Sequence, residues 1–566
     1  MPLGTSPLHH SDRQATPLLP LLVTAAAVVC ALAYRPSPCA ADGVPLAPSV
    51  TEAQSAPVVS PDGRGAAIVS YKTSASRAGA VHVGPDGVAD QRLTFSPLTL
   101  PFELEPAQPL RAQASGDSAV LFVADLAQAG GPAVTRLRDQ GVPVAGQPVS
   151  LAMPLRRPAI VPGANGRTLL IAMDADATSF WTLRIAVLAA DGLLESAVEL
   201  PSTRQFFYGD VIAACSDGAG GILAAMPYYD AAVTGSKDVG IFRYAADGSR
   251  PWGDTVRPLA IAARDQVDVQ VVPDGVGGML IAWTDPRVIA NSNDIYAHRV
   301  DSFGQRNEDF GFYGTPICSA PGVQSQPRMI GDGTGGAWIV WYDQRASLDG
   351  DLRFSHLLGD GTLAAGFTNQ GSVLCDAPGV QREAAIAGDG AGGLFVVWRD
   401  ERSGDADVYA QHIAANGSPA AGWDANGRAV VVAAGAQDQP AIASVRAGRA
   451  VVAWRDARAG AATRIYTSAL VDAATTAVPP APASSVRLSA ERAMHGAAVV
   501  RVTLPTASNA TLELLDVTGR RLVSTRLQGP LSGERVSLGD ALLPGLYFAR
   551  LRSADATAHA RLTVTR

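Results

Sequence analysis

Most of the chain alternates between short apolar runs and turns rich in glycine and aspartate, and no stretch sustains the 3.6-residue period of an amphipathic helix. The segment 326–377 is representative. It contains "QPRMIG" (326–331), "GAWIVWYD" (336–343), "DLRFSHLLG" (351–359) and "GSVLCDA" (371–377), which read as four strands separated by Asp-Gly turns. The second is apolar on both faces, as a strand buried between sheets must be.

This unit recurs. "PDGVGGMLIAWTDPR" begins at Pro273, "GDGTGGAWIVWYDQR" at Gly331 and "GDGAGGLFVVWRDER" at Gly388, and a shorter copy begins at Val445. Their tryptophans, Trp283, Trp341, Trp398 and Trp454, are spaced 58, 57 and 56 residues apart. Earlier copies start at Ser60, Ala114, Gly163 and Ser216, giving eight units of about 48 to 58 residues. A period near 50 with four strands per unit predicts an all-β fold, a β-propeller of eight blades, with seven as the alternative. The segment 45–63 matches 316–333, a fourth strand followed by the next unit's first, while the last unit ends near Asp472 without a fourth strand. The N-terminal strand near 44–50 is therefore expected to complete the last blade and close the ring, which removes an exposed edge.

Repetition also decides how the charged residues are read. The pairs Asp285 and Arg287, Asp343 and Arg345, Asp400 and Arg402, and Asp456 and Arg458 each follow the tryptophan. A catalytic group is needed once, whereas a structural device recurs in every blade, so these pairs are expected to be latches at the end of the second strand. The Asp-Gly-x-Gly-Gly segment is a turn and not a phosphate loop, because no helix follows it. Calcium held by Asp274, Asp332 and Asp389 is the alternative use of those turns, although no DxDxDG ligand set is present. His356 and His412 occupy equivalent third-strand positions, with Arg299 in that place one blade earlier and His298 one residue off. Equivalent positions on a ring do not converge, so no metal centre is expected from them. No GxSxG elbow or other triad arrangement is present.

Insertions break the repeat at 227–238, 287–296 and 305–317. Loops on a scaffold rim carry binding more often than the scaffold does. Tyr228, Tyr229, Asn291, Asn293, Phe310, Phe312 and Tyr313 are the candidate contact residues for an unknown glycan or protein.

Composition narrows the function classes. The 566 residues carry a net charge of −7 with only 17% charged positions, which supplies no basic field for nucleic acid and no polybasic membrane anchor. Arg13 followed by the apolar run 18–33, with Ala31 and Ala33 in small-x-small order, reads as an export signal and leader over 1–41. The run is short for a membrane span, so the mature chain is expected to keep none. Cys30 leaves with the signal. Cys39, Cys215, Cys318 and Cys375 show no metal-ligand spacing, and Cys318 and Cys375 fall at equivalent positions of neighbouring units. The fold is expected not to depend on disulfides, and no cofactor is called for.

After the propeller (42–474), the Pro/Ala/Ser stretch 475–485 is a linker. Residues 486–566 alternate as a small immunoglobulin-like β-sandwich. "LELLDVTGRRLVSTRL" and "LLPGLYFARLRS", followed by "ARLTVTR", resemble the type A C-terminal sorting domain of type IX secretion, which is close to the FlgD-like immunoglobulin fold. The matching residues are Asp516, Gly519 and Arg520, then Gly545, Leu546 and Tyr547; the family's opening Asn-Pro element is replaced by "ERAMHG" (491–496). The resemblance implies a partner in the secretion machinery. The sequence thus describes a monomeric, exported bacterial binding or structural protein of the envelope or extracellular space. A secreted propeller hydrolase acting on glycans is the alternative.

Overall fold

The computed structural model describes residues 43–472 and 487–564, apart from internal segments of which the longest are 95–110, 125–132, 138–148 and 201–210. The export signal, Cys30, Cys39 and the linker lie outside the described residues. The four-strand units form as the sequence predicts. In the unit of the opening example the strands are Gln324–Gly331, Ala337–Asp343, Asp351–Leu357 and Ser372–Cys375, antiparallel and hydrogen-bonded in chain order. The same order holds for sheets spanning 54–94, 111–150, 155–200, 213–260, 267–318 and 381–431.

The last sheet is assembled from both ends of this region. Gln437–Arg446, Arg449–Asp456 and Arg464–Val471 supply three strands, and Val44–Pro45 supplies the fourth, with Val44 opposite Thr467 and Pro45 opposite Tyr466. Leu46 N–H donates to the Ile465 carbonyl at 2.8 Å. Each sheet's first strand packs on the first strand of the next, and Gln437–Arg446 packs on Gln54–Pro61, so the succession returns to its start. The fold is a closed β-propeller. Its core lies between adjacent sheets: Trp341 is buried among residues of its own sheet and the preceding one, Trp398 and Trp283 likewise.

Two repeated devices set the geometry. The first concerns the short fourth strand. Gly371 precedes it with φ +64, and a Cβ there would lie 2.3 Å from the Trp341 ring. Gly43 stands in the same relation to Trp454, which marks the N-terminal strand as a true fourth strand. The second concerns the first strand. A fully buried glutamine opens it at 54, 266, 324, 381 and 437. Two residues later Ala56, Asp268, Gln326, Glu383 and Gln439 all adopt φ between +49 and +56, each inside a bulge. Each costs roughly 1–2 kcal/mol in a non-glycine residue. The conformation turns backbone N–H groups toward the neighbouring sheet: Ala56 N–H donates to Gln439 Oε1 at 2.8 Å, Gln439 N–H to Glu383 Oε2 at 2.8 Å, and Gln326 N–H to Asp268 Oδ2 at 3.3 Å. Local strain is exchanged for bonds that tie one sheet to the next.

Beyond residue 486, two small antiparallel sheets share one core that includes Val500, Val502, Leu512, Leu514, Leu538, Leu551 and Leu562. Buried Glu513 is met by Arg550 at 2.7 Å and Arg521 at 3.1 Å.

The Gly371–Trp341 contact is tested by Gly371→Ala. Left-handed strain and overpacking together should lower stability by about 2–4 kcal/mol. A urea midpoint unchanged from the parent protein would mean that this contact does not set the fourth strand.

Candidate functional site

The turn between first and second strands is built around its aspartate. In 331–336, Asp332 Oδ1 accepts from Thr334 N–H at 2.7 Å and Gly336 N–H at 3.0 Å, while Oδ2 meets His356 Nε2 at 2.9 Å. Asp389 repeats this with His412 at 3.0 Å, and Asp274 with Arg299 at 2.9 Å. Asp217 with Arg243 and Asp62 with His82, both at 3.0 Å, extend the device to earlier sheets. Both carboxylate oxygens are engaged by N–H donors, so a calcium ion at these turns would face a guanidinium or an imidazole. The sequence singled out the acids and the third-strand bases but did not join them. His356 also stacks on Trp338 at 3.9 Å and His412 on Phe395 at 4.2 Å. His298 lies off this set: it is fully buried against Phe310, and burial lowers its pKa.

The second-strand acids form the expected latches. Asp343 is fully buried; Trp341 Nε1 donates to its Oδ2 at 3.0 Å, Arg345 N–H to its Oδ1 at 3.0 Å, and the Arg345 guanidinium closes on both oxygens. Asp285, Asp400 and Asp456 receive the same donors from Trp283 and Arg287, Trp398 and Arg402, and Trp454 and Arg458. Arg287, Arg402 and Arg458 further cover Tyr296, Tyr409 and Tyr466 at 4.0 to 4.4 Å. Cys318 and Cys375 are free thiols that accept from Arg345 and Arg402 at 3.0 and 2.9 Å. Burial raises both thiol pKa values, Cys375 to about 12. Cys215 is a third free thiol, raised to about 12 by burial.

The candidate contact residues separate into buried and exposed sets. Tyr228 is 1% exposed and packs in the core between two sheets, and Phe310 is 1% exposed beneath the 303–313 loop. Tyr228 lies within the second strand Ile222–Tyr229, and the expected insertion at 305–317 proves to be part of the repeat: connections 301–314, 358–371 and 414–427 are equal in length, and Phe310 takes the place of Phe367 and Trp423. Tyr229 and Asn293 are half-buried, the Asn293 carbonyl accepting from Gln324 N–H at 3.0 Å; Asn291 lies outside the described residues. Phe312 and Tyr313 are 66% and 51% exposed and meet edge to face at 4.8 Å.

Beside them opens a cleft of about 390 Å³, lined by Arg257, Leu259, Gln305, Arg306, Glu308 and Phe312 among others. It lies between the fourth strand Arg257–Ala260 of one sheet and the third-to-fourth connection of the next. Arg306 is pinned there: Nε and Nη2 donate to the Leu259 carbonyl at 2.9 and 2.7 Å, and Nη2 to that of Pro258 at 3.1 Å. Its guanidinium stands 4.8 Å from the Phe312 ring. Sequence reading found the aromatic part of this cleft and missed Arg257 and Arg306, although Arg306 sits inside the insertion it named. Among the described residues no group of three or more His, Cys, Asp or Glu side chains is placed to hold a metal, and no helix is long and apolar enough to cross a membrane.

In the sorting-domain motif, Arg520 N–H donates to Asp516 Oδ1 at 3.0 Å, and the Tyr547 hydroxyl donates to the Leu543 carbonyl at 2.8 Å. Leu546 and Gly545 are exposed; Gly519 lies outside the described residues.

No known family profile matches the chain, and no curated protein matches it. Solved structures similar to it include a Dyadobacter fermentans protein of unknown function (13% identity, 54% of this chain and 94% of that chain, TM-score 0.30). A Penicillium chrysogenum alpha-L-arabinanase is another (11% identity, 56% and 93%, TM-score 0.33). A sialidase of Streptococcus pneumoniae is a third (8% identity, 75% and 93%, TM-score 0.32).

Two substitutions probe the charged framework. Asp343→Ala leaves Arg345 without its carboxylate and the Trp341 indole without its acceptor, and should cost about 3–5 kcal/mol in urea unfolding. A loss within error of zero would show that the latch adds nothing. Asp351 lies directly across from Asp343 in the sheet, and burial followed by the charge of Asp376 raises its pKa. A carboxyl whose folded pKa is raised destabilises the fold above that pKa, and the penalty is relieved as pH falls through it. Asp351→Asn should therefore stabilise the protein at neutral pH, with the gain shrinking as pH falls through the raised pKa toward the ordinary carboxylate range. Thermal melts across that range check the sign; a gain independent of pH would contradict the charge argument.

Proposed function

We propose that the chain is an exported β-propeller binding protein of eight blades whose contact surface is the 303–313 rim. The exposed Phe312–Tyr313 pair beside a cleft carries this reading. The repeated Trp, Asp and Arg side chains hold the scaffold, whereas this connection keeps the length of its counterparts 358–371 and 414–427 but carries Arg306, Phe312 and Tyr313 where the next sheet has Leu363, Asn369 and Gln370. The cleft volume falls at the lower end of the range of about 300–1,000 Å³ occupied by small-ligand sites. The blade count is supported by eight repeat units and by the first-strand contacts that return to their start. Export is supported by the apolar run 18–33 and small residues after it. A sorting role for the C-terminal module, an immunoglobulin-like sandwich in this reading, is supported by the "DVTGR" and "PGLYFARL" segments.

The test is a binding screen of the full chain against glycan and cell-surface panels, with a hydrolysis assay on every hit. Binding without turnover, weakened about ten-fold or more by Phe312→Ala with Tyr313→Ala at unchanged melting temperature, is expected. Turnover of a bound glycan would overturn the binding reading in favour of a hydrolase.

A further inference from the structure

The charge in the rim cleft has no internal answer. The neighbouring arginines Arg243, Arg250, Arg287 and Arg299 each meet a carboxylate at 3.0 Å or less. Arg257 and Arg306 form no ion pair among the described residues, and they lie close enough for the charge of one to disfavour the charge of the other. Glu308 is the one carboxylate in the lining, which leaves a net positive charge of one from two arginines and one glutamate. Such an arrangement is unfavourable unless solvent or a ligand supplies negative charge.

We propose that this cleft binds an anionic saccharide, one bearing carboxylate or sulfate groups. The inference rests on the rim-binding reading above and specifies its ligand. Three observations choose the class. Arg306 is already oriented by the backbone carbonyls of Pro258 and Leu259 through Nε and Nη2, so Nη1 is left for a ligand and little ordering is needed on binding. Arg257 donates only a long 3.5 Å bond to the Phe303 carbonyl, so it too has donors to spare. A guanidinium pair matches the planar oxygens of a carboxylate and the multiple oxygens of a sulfate. The Phe312 ring meets Arg306 and Tyr313 and is still 66% exposed, which suits the apolar face of a pyranose. The Gln305 amide at the cleft and the Asn307 NH2, whose own oxygen is taken by Asp309 N–H, supply polar groups for hydroxyls. The cleft's size fits one or two sugar rings better than the face of a folded partner.

Calorimetric titration of the full chain decides the matter, with oligogalacturonate, its methyl ester as the uncharged match, a sulfated oligosaccharide and an oligoglutamate peptide as probes. At least one acidic saccharide should bind, about ten-fold or more tightly than the methyl ester, and more weakly as salt is raised. Arg257→Gln and Phe312→Ala, both on the cleft surface, should each weaken it about ten-fold at unchanged melting temperature. Equal binding of the methyl ester, or indifference to Arg257→Gln, overturns the anionic class. Equal binding of oligoglutamate overturns the saccharide. Absence of binding by both acidic saccharides at millimolar concentration overturns the inference. The rim reading then stands or falls separately, on whether a panel hit of another kind is lost in Phe312→Ala.

Discussion

A carboxylate taken fully out of water must be answered by donors, and this scaffold is organised around that requirement. Asp285, Asp343, Asp400 and Asp456 each sit at the end of a strand that is apolar on both faces, where nothing but the chain itself can hydrate them. The answer comes from the indole two residues before and the guanidinium two residues after, so the strand's end is defined by its own sequence. The indole is held by its hydrogen bond in one orientation, and its far edge then fixes how closely the fourth strand can approach. Only a glycine fits that approach, at Gly371 in one sheet and Gly43 in another. A buried charge at the end of the second strand thus governs the position of the outermost strand, and at Gly43 the joining of the propeller's two ends.

The turn acids follow the same logic at the opposite end of the sheet. Asp332 is opposed by burial, yet bonds from His356 and from the N–H groups of Thr334 and Gly336 outweigh this and hold its pKa below the ordinary value. Because the folded value is the lower one, this device supports the fold at neutral pH and fails as pH falls through it. Asp351 and Asp407 lie on the other side of the balance, raised chiefly by burial and then by neighbouring acids. Individual sheets therefore carry opposed acid responses: the turn acids Asp217 and Asp332 favour ionisation, whereas Asp351 and Asp407, across from the latches, resist it.

Much of this was legible in the sequence because periodicity is a physical signal. Trp283, Trp341, Trp398 and Trp454 at near-equal spacing required equivalent environments, and the fourfold Asp-x-Arg pattern excluded a single catalytic use. The glutamines at 266, 324, 381 and 437 have the same 58, 57 and 56 spacing as the tryptophans and were equally readable. What they announce was not: a left-handed residue two positions later is invisible when that residue is Asp, Gln or Glu rather than glycine. The link between a turn acid and a base on the third strand was hidden for another reason. Arginine and histidine alternate in that role, so no single residue type repeats. Within the segment 305–317, aromatic character identified Phe310 and Phe312 alike. The structure separates them: Phe310 packs on His298 in the core, at the position that Phe367 and Trp423 fill in the next two sheets, whereas Phe312 has no aromatic counterpart there.

The contrast between repeated and unrepeated side chains also bears on where recognition can arise. In the repeat, a charged side chain is matched within its own sheet, and the geometry that matches it is copied from blade to blade. From the sheet of Asp285 to that of Asp456, such a surface offers a ligand the same neutralised features at each latch. The 301–314 connection keeps the backbone of its counterparts 358–371 and 414–427 but not their side chains. It spends Phe310 on anchoring, and it fixes Arg306 through main-chain carbonyls, which orient the guanidinium without cancelling its charge. Arg257 arrives from the adjacent sheet, so the two cations meet where one blade's outer strand faces the next blade's third-to-fourth connection. The spacing of the two cations is set on that strand, because Arg306 bonds to the carbonyls of Pro258 and Leu259, the residues that follow Arg257. On the Arg306 side a buried latch reaches the cleft directly, since Arg287, closed on Asp285, also donates to the Tyr313 carbonyl at 3.1 Å and so ties the connection to the end of the second strand.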